Sequence, residues 1–243
     1  MKKLKLWLVV SVSIFIIFSC AKKDPLGATA IVASAPDGSQ SMSQLAGMGT
    51  FCSVESSLGT ALGDKGAIKS LLLNANGTYT YAVYYSDHVG CATAQASGGN
   101  NVATYTQSGT FAVSGAAATT SPIGTNVIYT VVSTSLTIHA TTSAAQALAN
   151  WMNGNLGGGS GCSNMGGSFS GSTNSALSMD NGVNCVGTMD GAYSGVTFPA
   201  PGDVFKNINL NTGSVLESSA RAGSWRPGTS SFGTSYSEGY LSW

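Results

Sequence analysis

Alternation with a period of two runs through the middle of this chain and predicts an antiparallel sheet. Residues 68–73 form a short apolar run, Asn74-Ala75-Asn76-Gly77 interrupts it, and Thr78-Tyr79-Thr80-Tyr81-Ala82-Val83-Tyr84-Tyr85 follows. An Asn-Gly step supplies the positive φ that a tight hairpin turn needs, and both flanks have strand composition. In the second strand Tyr79, Tyr81, Val83 and Tyr85 share one face, which predicts that the aromatic face is buried. Further strands are expected at 102–106, 109–113, 127–132 and 136–139, with Ser133-Thr134-Ser135 joining the last two as a hairpin.

The period changes once. Ser143 is placed to cap a helix, and Ala144, Leu148, Trp151 and Met152 fall at i, i+4, i+7 and i+8 before Gly154 and Gly157 end the stripe. Trp151 reads as the anchor that packs this one short helix on the sheet. Residues 154–202 are rich in Gly, Ser and Asn, with short strands expected near 187–194. The tail offers strands at 204–210, 214–217 and 234–243. The fold class is mainly β, an antiparallel barrel or sandwich over residues 49–243, divisible into 49–140 and 141–243.

Charge does not organise this protein. From Ser70 to Met179 the single charged residue is Asp87, while Ser, Thr, Asn, Gly and Ala supply the polarity. Tyr, Val, Ile and Leu clusters within that stretch mark it as folded rather than disordered. A chain with ten Lys plus Arg and ten Asp plus Glu has no basic surplus with which to recruit nucleic acid.

Four cysteines, Cys52, Cys91, Cys162 and Cys185, lie within the β-rich region. Four cysteines allow three pairings. Pairing Cys52 with Cys91 and Cys162 with Cys185 brackets one structural segment each, and the second pair staples the Gly/Ser-rich C-terminal stretch. A metal site built from His88, Cys91 and His139 is the alternative, but that spacing matches no common ligand pattern, so neither a metal nor a cofactor is expected.

The amino terminus carries an address. Lys2, Lys3 and Lys5 precede an apolar run over residues 6–18 that is short for a membrane span. It ends in Ile17-Phe18-Ser19-Cys20, which resembles the lipobox of bacterial lipoproteins, closest to the looser spirochaetal form. The resemblance implies that residues 1–19 are a signal peptide, that Cys20 becomes the acylated amino terminus, and that acyl chains hold the protein on a membrane. Ala21 stands where inner-membrane lipoproteins usually carry Asp, so the resemblance points to the outer membrane. Residues 20–48, with Pro25 and Pro36-Asp37-Gly38, read as a flexible tether spanning about 30 Å.

Two further resemblances concern the fold. Gly49-Thr50-Phe51, Asn76-Gly77-Thr78-Tyr79-Thr80-Tyr81, Ser108-Gly109-Thr110-Phe111-Ala112-Val113 and Val127-Ile128-Tyr129-Thr130 are similar in order to small bacterial lipocalin-like lipoprotein domains. There Gly49-Thr50-Phe51 takes the place of Gly-x-Trp, while the family's Thr-Asp-Tyr motif has no counterpart. The end of the chain, Tyr236 to Trp243, is similar to the aromatic closing strand of outer-membrane barrels, but its aromatic residues fall on both faces.

Catalytic motifs do not emerge. No Gly-x-Ser-x-Gly elbow is present, the two histidines, His88 and His139, stand in separate segments, and the glycine run from Gly157 lacks the Lys-Ser/Thr ending of a phosphate loop. No catalytic residue is assigned. The expectation is a non-enzymatic envelope or surface lipoprotein that binds a protein or glycan partner. A lipocalin-like carrier of a small apolar ligand is the alternative.

Overall fold

The structure is a computed structural model that describes residues 40–42, 45, 50–55, 67–86, 101–117, 120, 123–139, 142–187, 195–210, 214–217, 227–228, 230–232, 236–239 and 241–242. Its elements are β1 (Thr50–Glu55), β2 (Ala67–Leu73), β3 (Thr78–Ser86), β4 (Asn101–Ala117), β5 (Gly124–Ile138), α1 (Ser143–Met152), β6 (Gly161–Ser163), β7 (Ser175–Ser178), β8 (Asn184–Val186), β9 (Gly195–Thr197), β10 (Val204–Leu210), β11 (Ser214–Glu217), β12 (Tyr236–Gly239) and β13 (Leu241–Ser242).

The main sheet is an antiparallel meander. Its order is β12-β11-β10-β5-β4-β3-β2-β1-β13, and it curls into a half-barrel. The two outermost strands are neighbours in the chain, with Tyr240 alone between them. Gly239 pairs with Ser214 of β11 and Leu241 pairs with Cys52 of β1, so the last strand joins the two edges of the curl. That removes unpaired edge groups at this end. Strand ends at Glu55, Ala67, Ser86, Asn101 and Ile138 lie at one end of the curl, and the short connection 74–77 lies at the other.

One face of the sheet makes the core. Across the ladder Leu73, Tyr79, Gly109 and Val131 stand in register, as do Val83, Tyr105 and Leu136 two inward-facing rows further on. All of them are buried. The Tyr79 and Tyr129 rings meet edge to face at 5.1 Å, and Phe111 tilts against Tyr129 at 6.5 Å. The aromatic face of β3 is therefore inside, as the alternation requires.

The 74–78 hairpin turn uses its glycine as expected. Gly77 has φ +80°, its N–H donates to Asn74 O at 3.0 Å, and its carbonyl accepts from Phe111 N at 2.8 Å.

Three expectations need correction. The pieces 102–106 and 109–113 are one strand, β4, and 127–132 and 136–139 are one strand, β5. Ser133-Thr134-Ser135 is not a turn but follows a β-bulge: Ser108 faces Ser133, Gly109 faces Val131, and Val132 is the extra residue, 58 % exposed. The hydroxyl triplet has no residue that needs positive φ, so the strand runs straight through. Second, the helix cap is Thr142, one residue before Ser143; its side chain accepts from Ala145 N at 3.2 Å. Third, residues 40–42 and Leu45 pack with the folded unit and not with the tether. Leu45 is fully buried in the core, its N–H donates to Ser41 O, and Gln40 N donates to Thr125 Oγ1 at 2.8 Å.

The segment between β5 and β10 packs on the main sheet and adds a small second one. β7 pairs with the upper half of β5, and β6, β8 and β9 make a small second sheet. Helix α1 buries Ala145, Leu148, Ala149, Trp151 and Met152 in the core. Its end is a Schellman arrangement: Gly154, with φ +79°, donates to Trp151 O, and Asn155 donates to Asn150 O. The short strands expected near 187–194 fall mostly outside the described residues, and β8 and β9 flank that gap.

Candidate functional site

The inside of the curl carries polar side chains that bond one another at several points. Tyr105 OH donates to Gln107 Oε1 at 2.8 Å, and Gln107 Nε2 donates to Tyr79 OH at 2.6 Å. Asn207 Nδ2 reaches Tyr129 OH at 3.2 Å and Pro227 O at 3.0 Å. Lys69 is also buried on the inner face of β2. Burial pushes the Tyr79 hydroxyl up to about 12, with the Gln107 hydrogen bond acting against it. Burial, reinforced by neighbouring Tyr81 and Tyr79, holds Tyr105 well above its ordinary range. Both phenols stay neutral at physiological pH, which suits structural hydrogen bonding.

The outer face has a different chemistry. On β4 the outward residues Thr104, Thr106, Ser108 and Thr110 are all hydroxyls, with Ala112 and Ser114 beyond them. Opposite them stand Thr137, Ser135, Ser133 and Thr130 of β5 on one side, and Thr80 and Thr78 of β3 face Ser108 and Thr110 on the other. This is a lattice of short uncharged donors and acceptors, spaced by strand separation in one direction and by two residues in the other. Ser108 and Ser133 hydroxyls bond each other at 2.7 Å. Alternation in Thr104-Tyr105-Thr106-Gln107-Ser108 carried this signal in the sequence, but its buried partner residues drew the reading.

Residues singled out for chemistry are dispersed. His139 is half-buried, its Nε2 lies 3.0 Å from Thr104 Oγ1, and burial lowers its pKa. It therefore sits on the hydroxyl face and not in open water. His88, Cys91 and Cys20 lie outside the described residues, and Cys52 is placed only by its backbone in β1. Cys162 and Cys185 stand directly opposite each other in β6 and β8 and form the expected disulfide. Among the described residues no group of three or more His, Cys, Asp or Glu side chains could hold a metal ion.

The stapled segment is held by side chains as well as by sulfur. Asn153 Nδ2 donates to Phe169 O at 2.7 Å while Phe169 N donates to Asn153 Oδ1 at 2.9 Å, which ties the loop to the end of α1. Asp180 Oδ1 accepts from Thr134 N, joining the segment to β5 just past its bulge. No protein-family model matches this chain, and no curated protein matches it.

Proposed function

We propose that this protein is a non-enzymatic outer-membrane lipoprotein, held by acyl chains on Cys20, whose β domain binds a protein or glycan partner through uncharged surfaces. The observation that carries the reading is the hydroxyl lattice over β3, β4 and β5. Soluble sheets normally present charged side chains to water. Replacing them with Ser and Thr leaves a face that forms many directional hydrogen bonds without the desolvation cost of charge. Such a face suits a neutral partner.

The sidedness supports anchoring by lipid. A membrane-spanning barrel turns an apolar band outward, whereas here Tyr79, Tyr105 and Leu136 point in and Thr104, Thr106, Ser108 and Thr110 point out on β3, β4 and β5. The antiparallel meander, curled into a half-barrel, supports the lipocalin-like resemblance at the level of architecture. Its inner face carries tyrosine rings in mutual contact, which favours the binding module over the apolar-ligand carrier.

The test presents the full-length protein in liposomes to an array of neutral glycans and to purified envelope proteins. Saturable binding that survives His139→Ala and falls at least tenfold with Thr106→Lys is expected. Turnover of a substrate that disappears with His139→Ala while the fold persists would overturn the reading.

A further inference from the structure

The segment between α1 and β8 contains a cleft of about 320 Å³, lined among others by Gly154, Gly159, Ser160, Cys162, Asn184 and Val186. We infer that this cleft holds one neutral sugar unit of a glycan. The inference rests on the partner-binding reading and gives that partner a point of contact away from β4.

Glycines create the cleft. A Cβ on Gly161 would come within 2.6 Å of Gly154 Cα, and one on Gly187 within 2.7 Å of Ser160 Cα, so three stretches of backbone meet at distances no side chain permits. Gly159 has φ +77° with nothing within 4 Å of its Cβ position, so the rim is open above that floor. The walls are fixed. The Schellman end of α1, the Asn153 clamp on Phe169 and the Cys162–Cys185 disulfide hold them before any ligand arrives. Preorganisation of this kind lowers the ordering cost of binding.

The lining selects the ligand class. Among the described residues no Lys, Arg, His, Asp or Glu contributes to it, so a charged ligand would find no countercharge among them. Backbone amides and carbonyls, the Ser163 hydroxyl and Asn184 supply the polar groups. Asn184 accepts from Thr197 Oγ1 at 3.0 Å through its Oδ1, which orients the amide and leaves Nδ2 as a donor. Val186, 46 % exposed, adds an apolar patch. A sugar ring presents that same combination, a hydroxyl rim around a C–H face. A peptide would instead add to the outer edge of β6, but Gly154 already abuts Gly161 there. The cleft volume is at the low end for small-molecule sites. A few net hydrogen bonds of about 1 kcal/mol each place the affinity for one unit in the millimolar range. Many lipid-anchored copies on one surface would raise it by avidity.

Saturation-transfer NMR on the full-length protein in detergent micelles tests this, with glucose, galactose and N-acetylglucosamine as neutral probes, sialic acid as the charged probe and an N-acetyl tripeptide amide as the peptide probe. At least one neutral sugar is expected to receive saturation, with a millimolar Kd. Val186→Arg and Gly159→Asn should each weaken it at least tenfold, while Gly166→Ala, outside the cleft lining and with nothing within 4 Å of its Cβ position, leaves it unchanged. Asn tolerates the left-handed backbone at Gly159, and peptide mapping of the Cys162–Cys185 bond reports that the segment is intact. Silence from every neutral sugar, binding of only the peptide or only sialic acid, or indifference to both cleft variants would overturn the inference. Loss of sugar binding with Thr106→Lys alone would move the contact to β4, removing the cleft and keeping the partner-binding reading.

Discussion

Tyr79 lies directly across the β3–β4 ladder from Gly109, and its ring fills the space that a side chain at Gly109 would need. A Cβ there would stand 2.7 Å from Tyr79 Cε1 and 2.0 Å from Thr130 O. The ring could swing away, but the carbonyl belongs to β5 and cannot. Gly109→Ala is therefore expected to destabilise the domain by roughly 2 to 3 kcal/mol through overpacking. Gly166→Ala, where a Cβ meets nothing within 4 Å, should change stability by less than about 0.5 kcal/mol. Denaturant midpoints of the two variants check the contrast, and equal midpoints would refute it.

Gln107 is the hinge of the internal network, since its amide serves Tyr105 and Tyr79 at once. Gln107→Leu removes both partners and leaves two buried hydroxyls without them, a loss on the order of 2 to 4 kcal/mol. The same burial gives the domain an alkaline limit. Tyr79 titrates near 12 in the folded state, against 10.0 for the unperturbed group. Above pH 10 the unfolded chain releases this proton first, so stability is complete below pH 10 and declines up to about pH 12, by as much as ~3 kcal/mol. Tyr105, raised further by burial, adds to the decline. Tyrosinate absorbance should appear together with loss of the folded signal; ionisation at pH 10 with the fold retained would contradict this.

How far the sequence could be read depended on whether a feature was local. The buried face of β3 was legible, because Tyr79, Tyr81, Val83 and Tyr85 alternate without interruption. So was the disulfide between Cys162 and Cys185, which closes a separation of 23 residues around a glycine-rich stretch. The bulge at Val132 was not legible. It shifts the alternation by one residue, so that Val131 and Thr134 both face inward, and a shifted period reads as a break. Residues 40–42 and Leu45 look like tether because nothing periodic surrounds them; what ties them to the fold is distant in sequence, Gln40 to Thr125 and Met42 beside Gly77. The hydroxyl face was present in the sequence at every second position, yet only the ladder register places β3, β4 and β5 side by side. The cleft depends on long-range glycine contacts that no local pattern encodes.

Capping gives a sharp local test. Thr142→Ala removes the acceptor for Ala145 N and should cost about 1 kcal/mol. Ser143→Ala, at an exposed first-turn position, should cost less than about 0.5 kcal/mol. Reversal of that order in thermal melts would return the cap to Ser143.

The staple has its own magnitude. Replacing Cys162 and Cys185 together by Ser opens a loop of separation 23, which in the chain-entropy model corresponds to roughly 3 kcal/mol. Alkylation and peptide mapping of the exported protein should show no free thiol at either position. The same map is expected to join Cys52 to Cys91, and a crosslink from Cys52 to Cys162 or Cys185 would refute the local pairing.

Attachment to the membrane is the last prediction, and it separates the anchor from the domain. Among the described residues the central strand β4 turns Thr104, Thr106, Ser108 and Thr110 outward and Tyr105 and Phe111 inward, the reverse of a lipid-facing apolar band. Two or three acyl chains at Cys20, at about 0.8 kcal/mol for each buried methylene, would hold it firmly, whereas one chain binds only reversibly. Cys20→Ala should therefore release the domain into the aqueous phase of a detergent partition once the signal is removed, with the Cys162–Cys185 disulfide and the melting transition unchanged. Intact mass of the wild-type protein should exceed that of the polypeptide from residue 20 onward by the mass of its acyl groups. If the signal-free Cys20→Ala product stayed in the detergent phase as an integral protein, the lipid anchor would be wrong and the apolar contact would have to come from the polypeptide itself.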